Sequence, residues 1–339
     1  MKTFTGILLS AIFLLATSSV FAKIWTVDNN PGNSAANFTS LAAATASGSV
    51  VSGDTIYVAG SSLDYNTSVT VSKKLYIFGP GYFLAENSGL QANTAPATIS
   101  SSITFAIGSE GSIVQGMTFT SYVYFNTSNI TLRRNRCTSF INITSSISNV
   151  IFVQNYCAIS TSSTVISIGA NSTNILISNN FLDNVSSGTE ISASGTSNVI
   201  ITNNVISGSV TAVNLSTATG AFDNNIIRNG TYNSSSILHR NNIGNTTQFG
   251  TANGNQQNVD MATVFLNTGS SDAKYQLIPS TSPALAAGVS GEDCGMYGGN
   301  SPYVISGLPP IPTIYFMSAP VSGSAAQGLP VTIKAKSHN

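Results

Sequence analysis

Six short segments decide the fold: NITLRRNRC (129–137), NVIFVQNYC (149–157), NILISNNFL (174–182), NVIITNNVI (198–206), GAFDNNII (220–227) and ILHRNNIG (237–244). They align on Asn135, Asn155, Asn180, Asn204, Asn225 and Asn242, which lie between 17 and 25 residues apart. A fixed core with variable spacing is the mark of a solenoid, in which each repeat packs only on its neighbours. Five positions before the aligned Asn stand Ile130, Val150, Ile175, Val199, Gly220 and Ile237. Three before it stand Leu132, Phe152, Ile177, Ile201, Phe222 and His239, and two after it Cys137, Cys157, Leu182, Ile206, Ile227 and Gly244. A period of two on either side puts those side chains on one face of short strands. The Asn marks a bend, because Asn tolerates the left-handed conformation. Stacked one strand spacing apart, the six amides form a ladder along a parallel β-helix.

Weaker coils extend the pattern towards the N-terminus, at 56–58, 75–79, 103–107 and 113–119. Roughly ten coils at about 4.8 Å give a rod on the order of 45 Å long. Such a rod needs caps at its ends. Residues 38–47 predict a short capping helix with Ser40 as N-cap and Ala42-Ala43-Ala44 inside it. After Gly299 the prolines 302, 309, 310 and 312 break regular pairing, while 314–317 and 331–334 suggest a last hairpin. The expected organisation is all-β: a β-helix domain over 23–300 and a Pro-rich C-terminal extension over 301–339.

Residues 1–22 read as a secretory signal peptide: Lys2, an apolar run from Ile7 to Val20, then Val20-Phe21-Ala22. The run is shorter than the roughly 20 residues that span a bilayer. The expectation is therefore a protein secreted or held at the cell surface, without membrane insertion after cleavage. Only 7% of the 339 residues are charged, twelve basic against twelve acidic, where soluble domains average about 25%. That balance excludes a basic nucleic-acid footprint and charge-driven disorder. It suits a solenoid, because a like charge repeated at one strand spacing would repel its copies. Three cysteines, Cys137, Cys157 and Cys294, cannot form a complete disulfide framework, and none has zinc-site spacing. Cys137 and Cys157 share a column, a separation that permits a bridge on distance alone, while strand geometry points both side chains the same way and favours stacked thiols. No cofactor or metal is expected.

The segments VDNNPG (27–32), GDTIYVAGSS (53–62), KKLYIFGPGY (73–82) and DCGMYGGNSPYVISGLPPIP (293–312) add a likeness to these repeats. The chain resembles the right-handed parallel β-helix proteins of the pectin lyase-like superfamily, and more narrowly secreted, uncharacterised β-helix proteins of Bacteroidota. The resemblance covers nearly the whole mature chain. It implies a right-handed wind and extracellular glycans as the commonest ligand class, and it specifies no activity, since one fold hosts many functions.

Enzymes of that superfamily resemble one another in clustering acids on the solvent face of adjacent coils, for acid–base work or to hold calcium. Here Asp183, Glu190 and Asp223 are the acids within the clear coils, and no two acids of the chain share a column in adjacent coils. The expected function is non-catalytic: a structural or extracellular-polysaccharide-binding protein, acting as a monomer. The alternatives are a polysaccharide lyase or glycoside hydrolase, favoured if acids converge on one groove, and a cell-surface adhesin.

Individual columns sharpen this. Asp223 and Arg240 are predicted to stack as an outward ion pair, and His239 to be a buried neutral side chain. Arg133, Arg134 and Arg136 form the basic cluster. Directly after the aligned Asn come Arg136, Tyr156, Phe181, Val205, Ile226 and Ile243, an apolar column predicted to face outward. Such a stripe marks a covered or a binding surface. Either a loop or the tail after Leu308 lies across it, or Tyr156 and Phe181 stack on sugar rings while Arg136 meets a carboxylate.

Overall fold

The computed structural model describes residues 22–337. All but the last residue of the expected signal peptide lies outside them, as does the extreme C-terminus. The chain winds as a parallel β-solenoid. Its first face is a ten-stranded all-parallel sheet. It begins with Ile24–Val27, Thr55–Val58, Tyr76–Phe78, Ile113–Gln115 and Thr131–Arg133. It continues through Ser148–Val153, Thr173–Ser178, Asn198–Thr202, Thr219–Asp223 and Leu238–Arg240. A second face follows each corner, from Ala97–Ile99 to Ile243–Gly244, and a third returns the chain, from Val69–Val71 onward. In the last coils Val205–Asn214 and Ile226–Asn233 run through the corner and join these two faces into one sheet.

The inward columns are those the sequence specifies. Ile130, Val150, Ile175 and Val199, with Leu132, Phe152, Ile177, Ile201 and Phe222, are buried in one continuous core. Cys137, Cys157, Leu182, Ile206 and Ile227 meet them from the second face. Cys137 pairs in register with Cys157, and both stay free thiols. Burial and the neighbouring thiol push Cys157 well above the usual thiol range.

At the corner between the first and second faces the aligned asparagines do what backbone alone cannot. The Asn155 Oδ1 accepts from the backbone N–H of Asn135 at 2.9 Å and from its Nδ2 at 3.2 Å. The same pair of bonds repeats through Asn180, Asn204, Asn225 and Asn242. Each amide also donates to a carbonyl of an earlier coil, as Asn180 Nδ2 does to Phe152 at 3.0 Å. The ladder continues one rung further, through Asn255, whose Oδ1 accepts from Asn242. The sequence signal for that rung was Asn253-Gly254-Asn255, masked by the loss of flanking apolar residues.

The bend itself lies one residue earlier than expected. The left-handed positions are Arg134, Gln154, Asn179, Asn203, Asn224 and Asn241, with φ from 54° to 59°. The aligned Asn has its amide committed inward, so the residue before it takes the turn; this corrects the assignment of the bend to the ladder Asn.

The N-terminal end is closed by the helix Leu41–Ala46, with Ser40 Oγ accepting from Ala43 N–H at 3.1 Å. Leu41 and Ala44 enter the core. The strands of the solenoid stop at Gly244, well before residue 300. The segment that follows folds back along the solenoid. Tyr303 and Leu308, inside the expected extension, are buried. Only beyond them does the chain leave, as the antiparallel hairpin Thr313–Ser318 with Thr332–Lys336.

Candidate functional site

The left-handed corner residues carry long polar side chains that point away from the core, and the returning segment is tied to them. Asn241 Nδ2 donates to the Ala287 carbonyl at 2.7 Å, and Asn224 Oδ1 accepts from Val289 N–H at 2.8 Å. Asn203 Nδ2 donates to Asp293 at 3.0 Å, and Asn179 Nδ2 to Met296 at 3.1 Å and Gly298 at 2.7 Å. Gln154 Nε2 reaches the carbonyls of Ser301 at 3.1 Å and Pro302 at 2.6 Å, and Arg134 Nη1 that of Leu308 at 2.9 Å. Six successive corners thus hold one strap, residues 287–308, which runs back from the last coil towards the first. Burial and the neighbouring Arg133 pull the Arg134 guanidinium down to about 10.

The strap and the segment before it cover the column after the ladder. Phe181 is buried, stacked between Tyr156 at 4.7 Å and Tyr275 at 4.2 Å. Phe83 closes edge-on over Tyr156 at 5.0 Å, and the Arg136 guanidinium lies 5.1 Å from the Phe83 ring. Tyr156 and Phe181 therefore face protein, and the sugar-stacking role expected for them with Arg136 has no open surface here. The cover is residues 82–83 and 264–303, rather than the tail after Leu308. It is pinned by Asp272, fully buried, whose Oδ2 accepts from Ser306 N–H at 2.7 Å and Tyr303 OH at 3.1 Å. Tyr303 OH in turn bonds Tyr82 OH at 2.7 Å.

Beside the strap, on the outside of the first face, a single register column stays accessible along parts of its length. It runs Thr26, Tyr57, Phe78, Gln115, Arg133, Val153, Ser178, Thr202, Asp223 and Arg240. At the N-terminal end it opens into a groove of about 840 Å³. One wall is Tyr57 and Phe78, from adjacent coils and with ring centres 5.8 Å apart. The other is Ile311 to Ile314 and Met317 of the hairpin. Gln91, held by Nε2 on the Pro80 carbonyl at 2.7 Å, and Asn93, on the Gly60 carbonyl at 3.1 Å, add amides to the rim. An apolar cleft with a few placed polar groups is the usual form of a small-molecule or glycan site. Nothing in the sequence signals it, because the wall comes from a hairpin more than two hundred residues away.

At the other end the column enters a hollow of about 560 Å³ lined by Thr202, Asp223, Asn224, Glu292 and Asn300. Asp223 Oδ2 meets Arg240 Nη2 at 2.6 Å, the single ion pair among the described residues, as the columns predicted. Asn224 Nδ2 donates to Glu292. The strap thus places Glu292 in the lining of the hollow that Asp223 also lines, a placement that coil alignment could not reveal.

His239 is half-buried rather than fully enclosed, between Tyr232 and Phe249, with Nδ1 3.3 Å from the Ile237 carbonyl. Glu190, one of the acids within the clear coils, is fully buried and neither carboxyl oxygen finds a partner. Burial, reinforced by the charge of Asp183, pushes its carboxyl up to about 9. Gly208 faces it: a Cβ there would stand 2.7 Å from Oε2. Asp183 is itself raised by burial, against the pull of the Ser207 hydroxyl and of Arg228 and Lys274. No group of three or more His, Cys, Asp or Glu side chains able to hold a metal occurs among the described residues.

No protein-family model matches the chain, and no relative is found among curated proteins. Among solved structures the chain is similar to the crystal structure of pectate lyase Pel9A, at 16% identity and a TM-score of 0.41, over 84% of this chain and 98% of that one.

Proposed function

We propose that this is an exported β-solenoid that holds an extracellular polysaccharide without cutting it. The observation that carries the reading is the groove at the first coils, where Tyr57 and Phe78 stand as a two-ring platform against the hairpin, with Gln91 and Asn93 at the rim. The apolar face of a pyranose ring packs on an aromatic ring, while its hydroxyls need amides. A parallel solenoid repeats its outward positions at about 4.8 Å, so a linear polymer lying along the axis meets successive coils. The test is affinity electrophoresis through gels containing single polysaccharides. Retardation in at least one gel is expected, and Tyr57→Ala with Phe78→Ala abolishes it. Unchanged mobility in every gel, or retardation indifferent to both substitutions, overturns the reading.

The hollow holding Asp223 and Glu292 favours a second reading, a glycoside hydrolase or lyase, because two carboxyl groups face one space. Release of reducing ends or of unsaturated uronides from a polysaccharide, lost in both Asp223→Asn and Glu292→Gln, supports it in place of the first. An absence of product leaves the binding role.

A further inference from the structure

A second, smaller site lies on the covered side of the solenoid, at Arg228. This side chain leaves the strand Ile226–Asn233 and packs against a pair of touching rings, its guanidinium carbon 5.8 Å from the centre of Phe265 and 5.2 Å from that of Tyr275. Nη1 reaches the Tyr275 hydroxyl at 3.3 Å. The buried Nε has no partner, and no carboxylate among the described residues lies within ion-pair distance, Asp183 acting on Arg228 only from farther off. Lys274 Nζ sits 5.2 Å from the other contact of the cluster, the Tyr275 ring. A rigid guanidinium with unused donors is a receptor for an oxyanion, since its fork matches carboxylate, sulfate and phosphate oxygens.

Arg228 lines a hollow of about 300 Å³ with Asn229, Asn245, Val259, Asp260 and Met261. Asn245 Nδ2 donates to Asn229 Oδ1 at 3.0 Å, which orients Asn229 with its own Nδ2 as donor. Asp260 uses Oδ1 on the Ala262 N–H at 2.9 Å. Its charge repels a bare anion, while a carboxylate oxygen accepts from hydroxyls. Val259 and Met261 supply an apolar wall. Donors for an oxyanion, an acceptor for hydroxyls and an apolar side describe one kind of guest.

We propose that the hollow beside Arg228 binds a sugar unit bearing an oxyanion, its charged group on Arg228 and Asn229 and a hydroxyl on Asp260. Carboxylate, sulfate ester and phosphate ester share this chemistry. The site is separate from the aromatic groove and does not depend on it.

The test is calorimetric titration of the intact protein with methyl glucuronoside, N-acetylglucosamine 6-sulfate and glucose 6-phosphate, against neutral methyl glucoside and inorganic sulfate. Saturable binding of at least one charged sugar is expected, and the strongest of the three identifies the group. Methyl glucoside and inorganic sulfate bind at least about tenfold more weakly. Arg228→Gln removes the binding. Because that side chain also packs, Asn229→Asp at the exposed rim serves as the second variant, placing a like charge beside the guest at unchanged melting temperature. Tyr57→Ala leaves this binding intact whatever it does in the polysaccharide gels. Three results overturn the proposal: no charged sugar binds, inorganic sulfate binds as tightly as the sugars, or Asn229→Asp binds like the parent protein.

Discussion

Asn180 Nδ2 donates to Asn204 Oδ1 at 2.9 Å across two coils, while the Asn180 Oδ1 accepts two bonds from Asn155, one from its backbone at 2.8 Å and one from its side chain at 3.0 Å. Both residues are fully buried. A side chain with two donors and two acceptor sites closes the corner of one coil and hands the same pattern to the next.

Asn180→Leu breaks that chain in the middle. The backbone N–H and the amide of Asn155 lose their acceptor, and Asn204 Oδ1 loses a donor, all without access to water. Buried groups left unmet cost about 1–3 kcal/mol each, so a loss on the order of 3 kcal/mol is expected in urea unfolding monitored by circular dichroism. Asn255→Leu, at the end of the ladder and 5% exposed, should cost less.

Phe181→Ala tests the covered column. Its ring fills the stack between Tyr156 and Tyr275, and a buried Phe→Ala change costs about 3–5 kcal/mol. The melting temperature should fall by several degrees, while retardation in a polysaccharide gel at a temperature where the variant is folded stays unchanged. Lost retardation in the folded variant would return the sugar-binding role to this column.

The coils were legible in the sequence because one physical rule fixes them: alternate apolar residues around an Asn whose amide must be satisfied at every turn. The positions of Val150, Phe152 and Cys157 inside the core follow from that period. The strap was not legible. Its partners, Asn179, Asn203 and Asn224, look in sequence like more of the same polar corner, and what they bind is mostly backbone, carbonyls for the first two and the Val289 N–H for the third, which carries no residue signature. The candidate groove was hidden for the same reason, since Tyr57 and Met317 are joined only by the return of the chain. Glu190 was legible as an acid, while its burial was not, since what encloses it, Gly208 among others, comes from the neighbouring coil.

The hairpin should be the first element to open. Thr313–Ser318 and Thr332–Lys336 form no sheet with the coils and reach the rest of the chain through a few bonds, such as the Ala92 N–H to the Ile314 carbonyl at 2.8 Å, and Phe316, Met317 and Ile333 remain exposed. A lone two-stranded hairpin is marginally stable in water, whereas the coil strands are hydrogen-bonded on both edges. In native-state hydrogen exchange its amides should lose protection well before those of Ile175–Ile177. Equal protection at both places would mean that the bonds to residues 89–92 hold the hairpin as firmly as the coils hold one another.

Glu190 makes stability depend on pH in a direction opposite to that of a paired carboxylate. Its carboxyl titrates at about 9 in the fold, against 4.5 for the free group. Between those values the folded protein holds a proton that the unfolded chain releases. Stability is therefore fully present below about pH 4.5, falls as pH rises towards 9, and levels off above it. Each pH unit in that window removes about 1.4 kcal/mol at most, and relaxation around the buried group makes a total on the order of 3 kcal/mol between pH 5 and 8 the reasonable expectation. Glu190→Gln keeps the shape and removes the proton, so it flattens the profile. The variant should match the parent near pH 5 and exceed it at pH 8, read as urea midpoints across that range. Parallel profiles for the two proteins would show that Glu190 is ionised in the fold and has found a partner.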